Sequence, residues 1–292
     1  MEGKKRMKSP LKVLMVGNSF SMSCRTYLPD IVKSLPGCEL KLEIAYIGGC
    51  SLQRHIQEYE TSQQDPEHRP YTDIANQTAS LQEFLKRDKW DIISIQQASH
   101  CSWQPATYQP WAEQLIGIIR ETNPQAEIII QQTWSYNAGD VRINSQQPEW
   151  GLDQAGMFSC LDAAYRALAR QYGFRVVPTG LAVQLTRKDS PRQLPRMDED
   201  FKNSLVYPAP LPETEDAAGT CLYRDTDDGK VLGVDTIHLN RYGQYLQGCV
   251  WAGFLFDISP EAITFEPAEL PDKARLAKYR AAAHQALQEY RN

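Results

Sequence analysis

A serine lies between an apolar run and a predicted helix near the start of the chain, in the segment GNSFS at residues 17–21. The preceding run, Lys12 to Val16, is apolar and partly β-branched, which predicts a buried strand that ends at Gly17. Ser19 would then stand at the N-terminus of the following helix, where free backbone N–H groups can stabilise a developing oxyanion. Serine is also a favoured helix cap, so this segment alone leaves a nucleophile and a plain cap as alternatives.

An aspartate and a histidine stand three residues apart near the other end of the chain, as Asp235 and His238. A serine hydroxyl is a poor nucleophile until a base takes its proton, and the base works best when a carboxylate holds its other ring nitrogen. Of the five histidines, His238 is the one with a nearby upstream aspartate after the last strand region. The alternative is a surface pair at the start of a helix.

Two further turns follow predicted strands. The segment GGCS at residues 48–51 ends the second strand, and a glycine such as Gly49 lets a backbone N–H approach a ligand closely. Gln96 and Gln97 end the third strand, where a side-chain amide can donate to an oxyanion. The alternatives are a plain glycine turn and a glutamine that bonds to nearby backbone.

The order of these segments resembles the SGNH (GDSL-like) hydrolase superfamily. GNSFS is similar to its GDS block, with Asn18 where aspartate is usual, Gly49 is similar to its second-block glycine, and DTIHL resembles its DxxH block. Together GNSFS, YIGGCSLQRH, WDIISIQQAS and DTIHLN-x-x-G resemble an uncharacterised bacterial branch of this superfamily. The resemblance covers about Leu11 to Phe256, most of the chain.

This resemblance implies a serine ester hydrolase with Ser19 as nucleophile, His238 as general base and Asp235 as the group that orients the base. It also implies an oxyanion hole formed by the N–H groups of Ser19 and Gly49 and by the side-chain amide of Gln97. Most such enzymes carry an asparagine in the third block, so Gln97 would supply the amide from one methylene further out. The mechanism calls for no cofactor, and no clustered cysteines and histidines suggest a metal site.

Four other side chains are candidates for substrate contact. His55 lies on the helix predicted after Gly49, and three aromatic residues lie in loops after the third and fourth strands, namely Trp103, Trp134 and Tyr136. Aromatic rings at such positions can stack on sugar rings. Packing inside the protein is the alternative for each of the four.

Five predicted strands, of which the second is the alternating segment Leu40 to Ile47, alternate with helical segments along the chain. They predict an α/β fold with three α/β/α layers around a five-stranded, mostly parallel, flavodoxin-like sheet. Ligands bind beyond the carboxyl ends of the strands in such sheets, which is where the candidate residues fall. One helix is predicted over Ile74 to Lys86. We expect a single domain over residues 1–292, with a structureless loop or lid insertion at about 188–233 and a C-terminal helix, packed on the outside, at about 267–290.

The composition is ordinary for a soluble protein, with 42% hydrophobic and 23% charged residues and a formal net charge of −5. The lysines and arginines are dispersed, which argues against a nucleic-acid partner, and no apolar run is long enough for a membrane-spanning helix. The first apolar run is too short for a signal peptide, so we expect a cytoplasmic protein with its seven cysteines reduced. A secreted or periplasmic location stays open if a leader was removed.

The first functional hypothesis is an esterase that removes an O-acyl group, in particular O-acetyl, from a small-molecule or glycan ester. The carbohydrate part of this hypothesis rests on analogy and on the loop aromatics. The alternative enzyme is a thioesterase or lysophospholipase, which would call for a long apolar groove. The alternative from another class is a catalytically inactive carbohydrate-binding protein on the same fold. The sequence indicates no oligomeric state.

Overall fold

A computed structural model describes residues 9–188, 195–212, 215–227 and 229–291. The strands and helices of this part of the chain are, in order, β1 (Leu11–Gly17), α1 (Ser19–Met22), α2 (Leu28–Lys33), β2 (Leu40–Tyr46), α3 (Leu52–Gln64), β3 (Tyr71–Thr72), β4 (Thr78–Ala79), α4 (Leu81–Lys86), β5 (Ile92–Ile95), α5 (Trp111–Thr122), β6 (Glu127–Gln131), α6 (Gln154–Tyr172), β7 (Val176–Val177), α7 (Thr179–Arg187), α8 (Glu199–Ser204), β8 (Ala218–Thr226), β9 (Gly229–Leu239), α9 (Arg241–Phe256) and α10 (Lys273–Arg291).

Seven strands form the main sheet, in the order β4-β3-β2-β1-β5-β6-β7. The strands β2, β1, β5, β6 and β7 are parallel, and they are the five strands that the sequence predicts. The two-residue strands β3 and β4 extend the β2 edge in antiparallel pairing. The predicted α/β class is therefore confirmed. The short strands β3 and β4 were not predicted, and they make the sheet wider than expected.

The strand order places helices on both faces of the sheet. The chain moves from β1 to β2 in one direction, and then crosses back past β1 to β5, β6 and β7 in the other. Because parallel crossovers are right-handed, this reversal puts α2 on one face and the later crossover helices on the opposite face. The helix contacts agree, since α9 packs against α2, α7 and α10 while α5 packs against α3 and α4.

The reversal beside β1 creates the crevice in which such sheets bind ligands. The central strands that lead to it are buried toward their carboxyl ends, and Ile92 to Ile95 of β5 are each at most 5% exposed. Apolar side chains on both faces hold these strands between the two helical layers. Polar side chains therefore begin where the strands end, and the loops after β1, β2, β5 and β6 bring them to one edge of the sheet.

The predicted helix over Ile74 to Lys86 was wrong in its first half. Tyr71–Thr72 and Thr78–Ala79 form the antiparallel pair β3–β4, and the helix α4 begins only at Leu81. Its start is marked by a capping box, in which Ser80 and Glu83 bond to each other's backbone N–H. The motif S-x-x-E in the sequence indicates this boundary.

The predicted insertion at about 188–233 is not structureless where the structure describes it. Residues 189–194, 213–214 and 228 lie outside the described part of the chain. The rest of the segment contains the short helix α8 and the antiparallel hairpin of β8 and β9. The second strand of this hairpin runs on to Leu239, so it carries both Asp235 and His238. The hairpin therefore holds part of the candidate site.

The C-terminal helix begins at Lys273, later than predicted, and one of its faces is buried against α7 and α9. Leu276, Ala283 and Ala286 on that face are fully buried, so the helix belongs to the outer helical layer and not to a loose tail. None of the described helices is long and apolar enough to cross a membrane. The seven cysteines, all within the described ranges, form no disulfide.

Candidate active site

Ser19 is the first residue of α1, directly beyond the carboxyl end of β1. The side chain of Asn18 caps this helix, because its Oδ1 accepts a hydrogen bond of 3.0 Å from the N–H of Phe20. The same Oδ1 accepts a second bond, of 2.6 Å, from Nε2 of Gln96. Asn18 is 2% exposed, so this network fixes the turn that presents Ser19.

The structure explains why asparagine suits position 18, where the similar hydrolases usually carry aspartate. Asn18 Nδ2 donates a hydrogen bond of 3.1 Å to the carbonyl oxygen of Cys50. An aspartate in this orientation would place a carboxylate oxygen against that carbonyl oxygen, with no proton between them. The amide therefore joins the Ser19 turn to the Gly49 turn at the end of β2.

Ser19, His238 and Asp235 form a continuous chain of hydrogen bonds. His238 Nε2 lies 2.8 Å from Ser19 Oγ, and His238 Nδ1 lies 2.7 Å from Asp235 Oδ2. The other carboxylate oxygen of Asp235 accepts bonds of 2.9 Å from the backbone N–H groups of Ile237 and His238. The aspartate is thus locked in place by its own turn, and it holds the imidazole toward the serine.

The pKa of Asp235 and the hydrogen bonds of His238 determine which group holds a proton along this series of hydrogen bonds. Burial alone would raise the pKa of Asp235, but the hydrogen bonds from His238 and from the two backbone N–H groups outweigh it and lower the pKa to about 2. Asp235 is therefore ionised near neutral pH and accepts the Nδ1 proton of His238. Nε2 is then left without a proton, so it can accept the proton of the Ser19 hydroxyl.

The triad opens into a cleft of about 400 Å³ lined by residues from all the loops that meet there, namely Asn18, Ser19, Phe20, Tyr46, Gly48, Gly49, Ser99, His100, Tyr136, Arg142, Ile237 and His238. Gly49 has φ of +61°, a left-handed conformation that favours glycine, and a Cβ on it would meet no atom within 4 Å. The N–H groups of Ser19 and Gly49 donate to no acceptor within the described ranges. Both can therefore donate to a bound ligand.

The prediction that Gln97 supplies an oxyanion donor is not supported by its position. Its Oε1 accepts bonds from the N–H groups of Leu52 and Ala98, and its Nε2 donates to the carbonyl oxygen and hydroxyl of Thr107. Gln97 is 1% exposed and does not line the cleft. This correction favours the alternative considered above, a glutamine that bonds to nearby backbone. The side chain of Gln96 is also engaged, because its Nε2 donates to Asn18 Oδ1 and its Oε1 accepts from the Ser21 hydroxyl.

His55 does not reach the cleft either, so the prediction of substrate contact gives way to its alternative, packing. The side chain is fully buried, stacks on the ring of Tyr71, and has its Nδ1 2.8 Å from the Tyr71 hydroxyl. Its Nε2 has no hydrogen-bond partner among the described residues. Burial, with a smaller contribution from the charge of Arg54, lowers the pKa of His55 from 6.5 to about 3.

This buried histidine predicts a loss of stability in mild acid. Between about pH 6.5 and pH 3 the unfolded chain binds a proton at position 55 that the folded chain excludes, so the free energy of unfolding falls as the pH falls, by up to about 1.4 kcal/mol per pH unit. His55→Gln should shrink the difference between the unfolding free energies at about pH 7.5 and pH 5 by about 2 kcal/mol. Guanidinium unfolding curves of both proteins at both pH values measure this. Equal pH differences in the two proteins would contradict it.

The three predicted aromatic contacts divide into two groups. Tyr136 lines the cleft, and its hydroxyl lies 2.9 Å from that of Ser99. Trp103 stacks on Trp150 and does not line the cleft. Trp134 is fully buried, so it is a support and not a substrate contact. Its ring stacks on Phe20 at a centroid distance of 3.9 Å, and its Nε1 donates to the carbonyl oxygen of Ile237, which ties together the chain neighbours of Ser19 and His238.

Ser99, His100 and Arg142 are among the cleft residues that were not predicted from the sequence as site residues. Ser99 and His100 follow β5, and Arg142 follows β6. The rule that ligands bind beyond the carboxyl ends of the strands could have identified them from the sequence. Desolvation, together with the charge of Arg142, lowers the pKa of His100. His100 therefore stands in the cleft as a neutral imidazole near pH 7.

A larger cavity, of about 760 Å³, lies between α6, β7 and α10. It is lined by several arginines and aromatic residues and shares no lining residue with the triad cleft. The described residues that line it include no serine, histidine or cysteine. A nucleophile paired with a base occurs in the smaller cleft, so that cleft is the candidate active site.

Comparisons with known proteins agree with this fold. A family model described as a domain of unknown function (DUF4886) matches residues 12–201. A crystal structure of a DUF4886 family protein from Bacteroides uniformis ATCC 8492 is 24% identical and has a TM-score of 0.71, with 96% of this chain and 95% of that chain covered. Among curated proteins, no sequence matches significantly.

Other solved structures are similar at greater distance. A protein from Slackia heliotrinireducens assigned as an SGNH hydrolase is 17% identical with a TM-score of 0.49, covering 84% of this chain and 98% of that one. An acetyl xylan esterase, AlAXEase, is 12% identical with a TM-score of 0.46, covering 84% of this chain and 100% of that one. These two similarities are loose, and they show nothing about activity.

Proposed function

The chain belongs to the DUF4886 family, and from the geometry of its cleft we propose that it is a serine ester hydrolase. The observation that carries the proposal is the unbroken hydrogen-bond chain from Ser19 Oγ through His238 to Asp235, open to a cleft of about 400 Å³. A serine, a histidine and an aspartate within hydrogen-bond distance in this order are the arrangement that acyl transfer to a hydroxyl requires.

The proposed reaction uses each of these groups in turn. His238 Nε2 takes the proton of Ser19 as Oγ attacks the ester carbonyl, and the ionised Asp235 stabilises the imidazolium that forms. The tetrahedral intermediate collapses when His238 gives that proton to the leaving alcohol, which leaves an acyl group on Ser19. Water then attacks the acyl-enzyme with His238 as base, and the acid departs as Ser19 regains its proton.

Two backbone donors form the proposed oxyanion hole. The N–H groups of Ser19 and Gly49 both border the cleft and have no acceptor within the described part of the chain. Donors already held in position cost no reorganisation when the oxyanion forms, and each contributes about 10²- to 10³-fold in rate. Gln97 has no part in the proposed hole, because its amide is fully engaged elsewhere.

We place a small acyl group, acetyl in particular, in this cleft. Phe20 and Ile237 are the purely hydrocarbon side chains among the described residues that line the cleft; the others are glycines or carry a hydroxyl, amide, imidazole or guanidinium group. A long acyl chain would need a continuous apolar surface, since it gains about 0.8 kcal/mol for each buried methylene. The lining therefore favours the O-acetyl esterase over the lysophospholipase. The tyrosines Tyr46 and Tyr136 are the groups that support a sugar as the alcohol.

A series of p-nitrophenyl esters with acetyl, butyryl, octanoyl and palmitoyl groups tests the proposal. We expect the wild-type protein to hydrolyse the acetate with the highest kcat/KM and the longer esters progressively more slowly. In parallel, a fluorophosphonate probe should label the protein, and peptide mass spectrometry should place the label on Ser19.

Each other outcome favours a different alternative. A rate that rises with chain length would favour the lysophospholipase. Comparable rates with acetyl thioesters and oxygen esters would favour the thioesterase. Neither turnover nor labelling of a folded protein would overturn the enzyme proposal and favour the inactive carbohydrate-binding protein.

A further inference from the structure

We propose that Arg142 is a specificity residue that binds a carboxylate on the ester substrate, so that the natural substrate is an acidic ester such as an acylated acidic sugar. This inference rests on the proposed esterase function of the same cleft. It follows from three features of Arg142: the way it is held, the N–H groups it leaves free, and the charge of its surroundings.

Arg142 is held rigidly at the cleft wall by Asp140. Its Nε donates to Asp140 Oδ1 at 2.7 Å and its Nη2 donates to Oδ2 of the same carboxylate. Asp140 is 2% exposed and also accepts a bond of 2.6 Å from the hydroxyl of Thr236, the residue next to Asp235. The guanidinium lies 4.4 Å from the ring centre of Tyr136 and 5.2 Å from that of Trp150. These contacts fix its plane before any ligand binds.

The outer edge of the guanidinium remains available. A guanidinium has five N–H groups, and Asp140 engages one on Nε and one on Nη2. Nη1 donates to no acceptor within the described residues, so both of its N–H groups and the second one on Nη2 are free. The free pair along the Nη1–Nη2 edge has the spacing that binds a carboxylate with two parallel hydrogen bonds.

The described residues that line the cleft include no acid that could compete with a ligand for the free edge of the Arg142 guanidinium. Arg142 is the one residue with a permanent charge among the described residues that line the cleft, because Asp140 and Asp235 are not part of the lining. His100, which also lines it, has its pKa lowered and adds a neutral hydrogen-bonding group. The free guanidinium edge in the cleft favours a negatively charged ligand by charge-assisted hydrogen bonds, although the chain as a whole carries a net charge of −5.

A purely structural role for Arg142 would predict nothing about substrate charge, and Arg196 provides the matched comparison. Arg196 supports the same loop, through Nη1 bonds to the carbonyl oxygens of Val141 and Gln147 and an ion pair with Glu149, but it does not line the cleft. Arg196→Gln therefore removes a loop contact of the same kind without removing a charge from the cleft.

The experiment compares substrates that differ only in the carboxylate. One pair is an O-acetylated methyl glucoside and the corresponding O-acetylated methyl glucuronide, which places the charge on the alcohol. The other pair is p-nitrophenyl butyrate and p-nitrophenyl hemisuccinate, which places it on the acyl group. We expect the wild-type protein to favour the charged member of at least one pair in kcat/KM, and the pair that shows the preference identifies the side of the ester that Arg142 contacts.

The ratio of kcat/KM for the charged over the neutral ester is the decisive quantity. Arg142→Gln should lower this ratio by about 10- to 100-fold, because a hydrogen-bonded charge pair is lost. Arg142→Lys should restore part of it, and Arg196→Gln should leave it at the wild-type value. If removal of Arg142 leaves Asp140 unpaired and the protein misfolds, the double variant Asp140→Asn/Arg142→Gln removes both charges together.

Binding without turnover keeps this inference separate from the esterase proposal. Titration calorimetry of wild-type protein with methyl glucuronide and methyl glucoside should show tighter binding of the charged sugar, and Arg142→Gln should abolish the difference. No turnover of any ester would overturn the proposed function alone. Equal kcat/KM for both members of both pairs, or a ratio that Arg142→Gln does not change, would overturn the specificity role of Arg142.

Discussion

Replacing Ser19 by alanine should lower kcat/KM for p-nitrophenyl acetate by about 10⁴- to 10⁶-fold, because no other group can form the acyl intermediate. The substitution removes only Oγ, whose partner is His238 Nε2 at 2.8 Å. The turn itself is held by the side chain of Asn18 and not by Ser19. The variant should therefore fold as the wild type does, with an unchanged circular dichroism spectrum and melting temperature.

Ser21→Ala is the matched control for this experiment. Ser21 lies on the same short helix, but its hydroxyl bonds to Gln96 at 3.2 Å and does not line the cleft. We expect Ser21→Ala to retain most of its turnover and to react with a fluorophosphonate probe, whereas Ser19→Ala should do neither. If purified Ser19→Ala turned over the ester nearly as fast as the wild type, Ser19 would not be the nucleophile.

Asp235→Asn should lower kcat/KM by about 10⁴-fold while it preserves the fold. The asparagine Oδ1 can still accept from the N–H groups of Ile237 and His238, so the turn keeps its two backbone bonds. Its NH₂ group, however, would face His238 Nδ1, which must then be the unprotonated nitrogen. The proton of the neutral ring moves to Nε2, opposite Ser19 Oγ, and the histidine can no longer act as base in that orientation.

The pH profile distinguishes this tautomer effect from a change in ionisation. Because the pKa of Asp235 is lowered to about 2, the carboxylate is ionised throughout the working range of the enzyme, about pH 5 to 9. The loss in Asp235→Asn should therefore appear at every pH in that range. Steady-state kinetics of the wild type and the variant across this range measure it. A variant that keeps wild-type activity at any of these pH values would show that Asp235 does not set the tautomer of His238.

Much of the fold follows from the sequence because the central strands are buried on both faces. Such strands appear as apolar runs, as β1, β5 and β6 do, whereas β2 was predicted from the alternating pattern of Leu40 to Ile47. The helix α6 covers Gln154–Tyr172 because the Asp153 cap and the left-handed Gly173 mark its ends. Short edge strands have no such signature, and β3 and β4 were therefore missed.

The sequence by itself determined the candidate triad, because a serine directly after a buried strand and an aspartate three residues before a histidine can be recognised from residue type and spacing. Only the tertiary structure decided which neighbouring polar side chains share their cleft. Gln97 and His55 were predicted to reach it and are packed inside, whereas Arg142 was overlooked and lines it. The physical reason is that a polar side chain faces the ligand or the interior according to the hydrogen bonds and packing that the folded chain offers it. Gln97 bonds to Thr107 and Leu52, His55 bonds to Tyr71, and Arg142 is held at the cleft by Asp140.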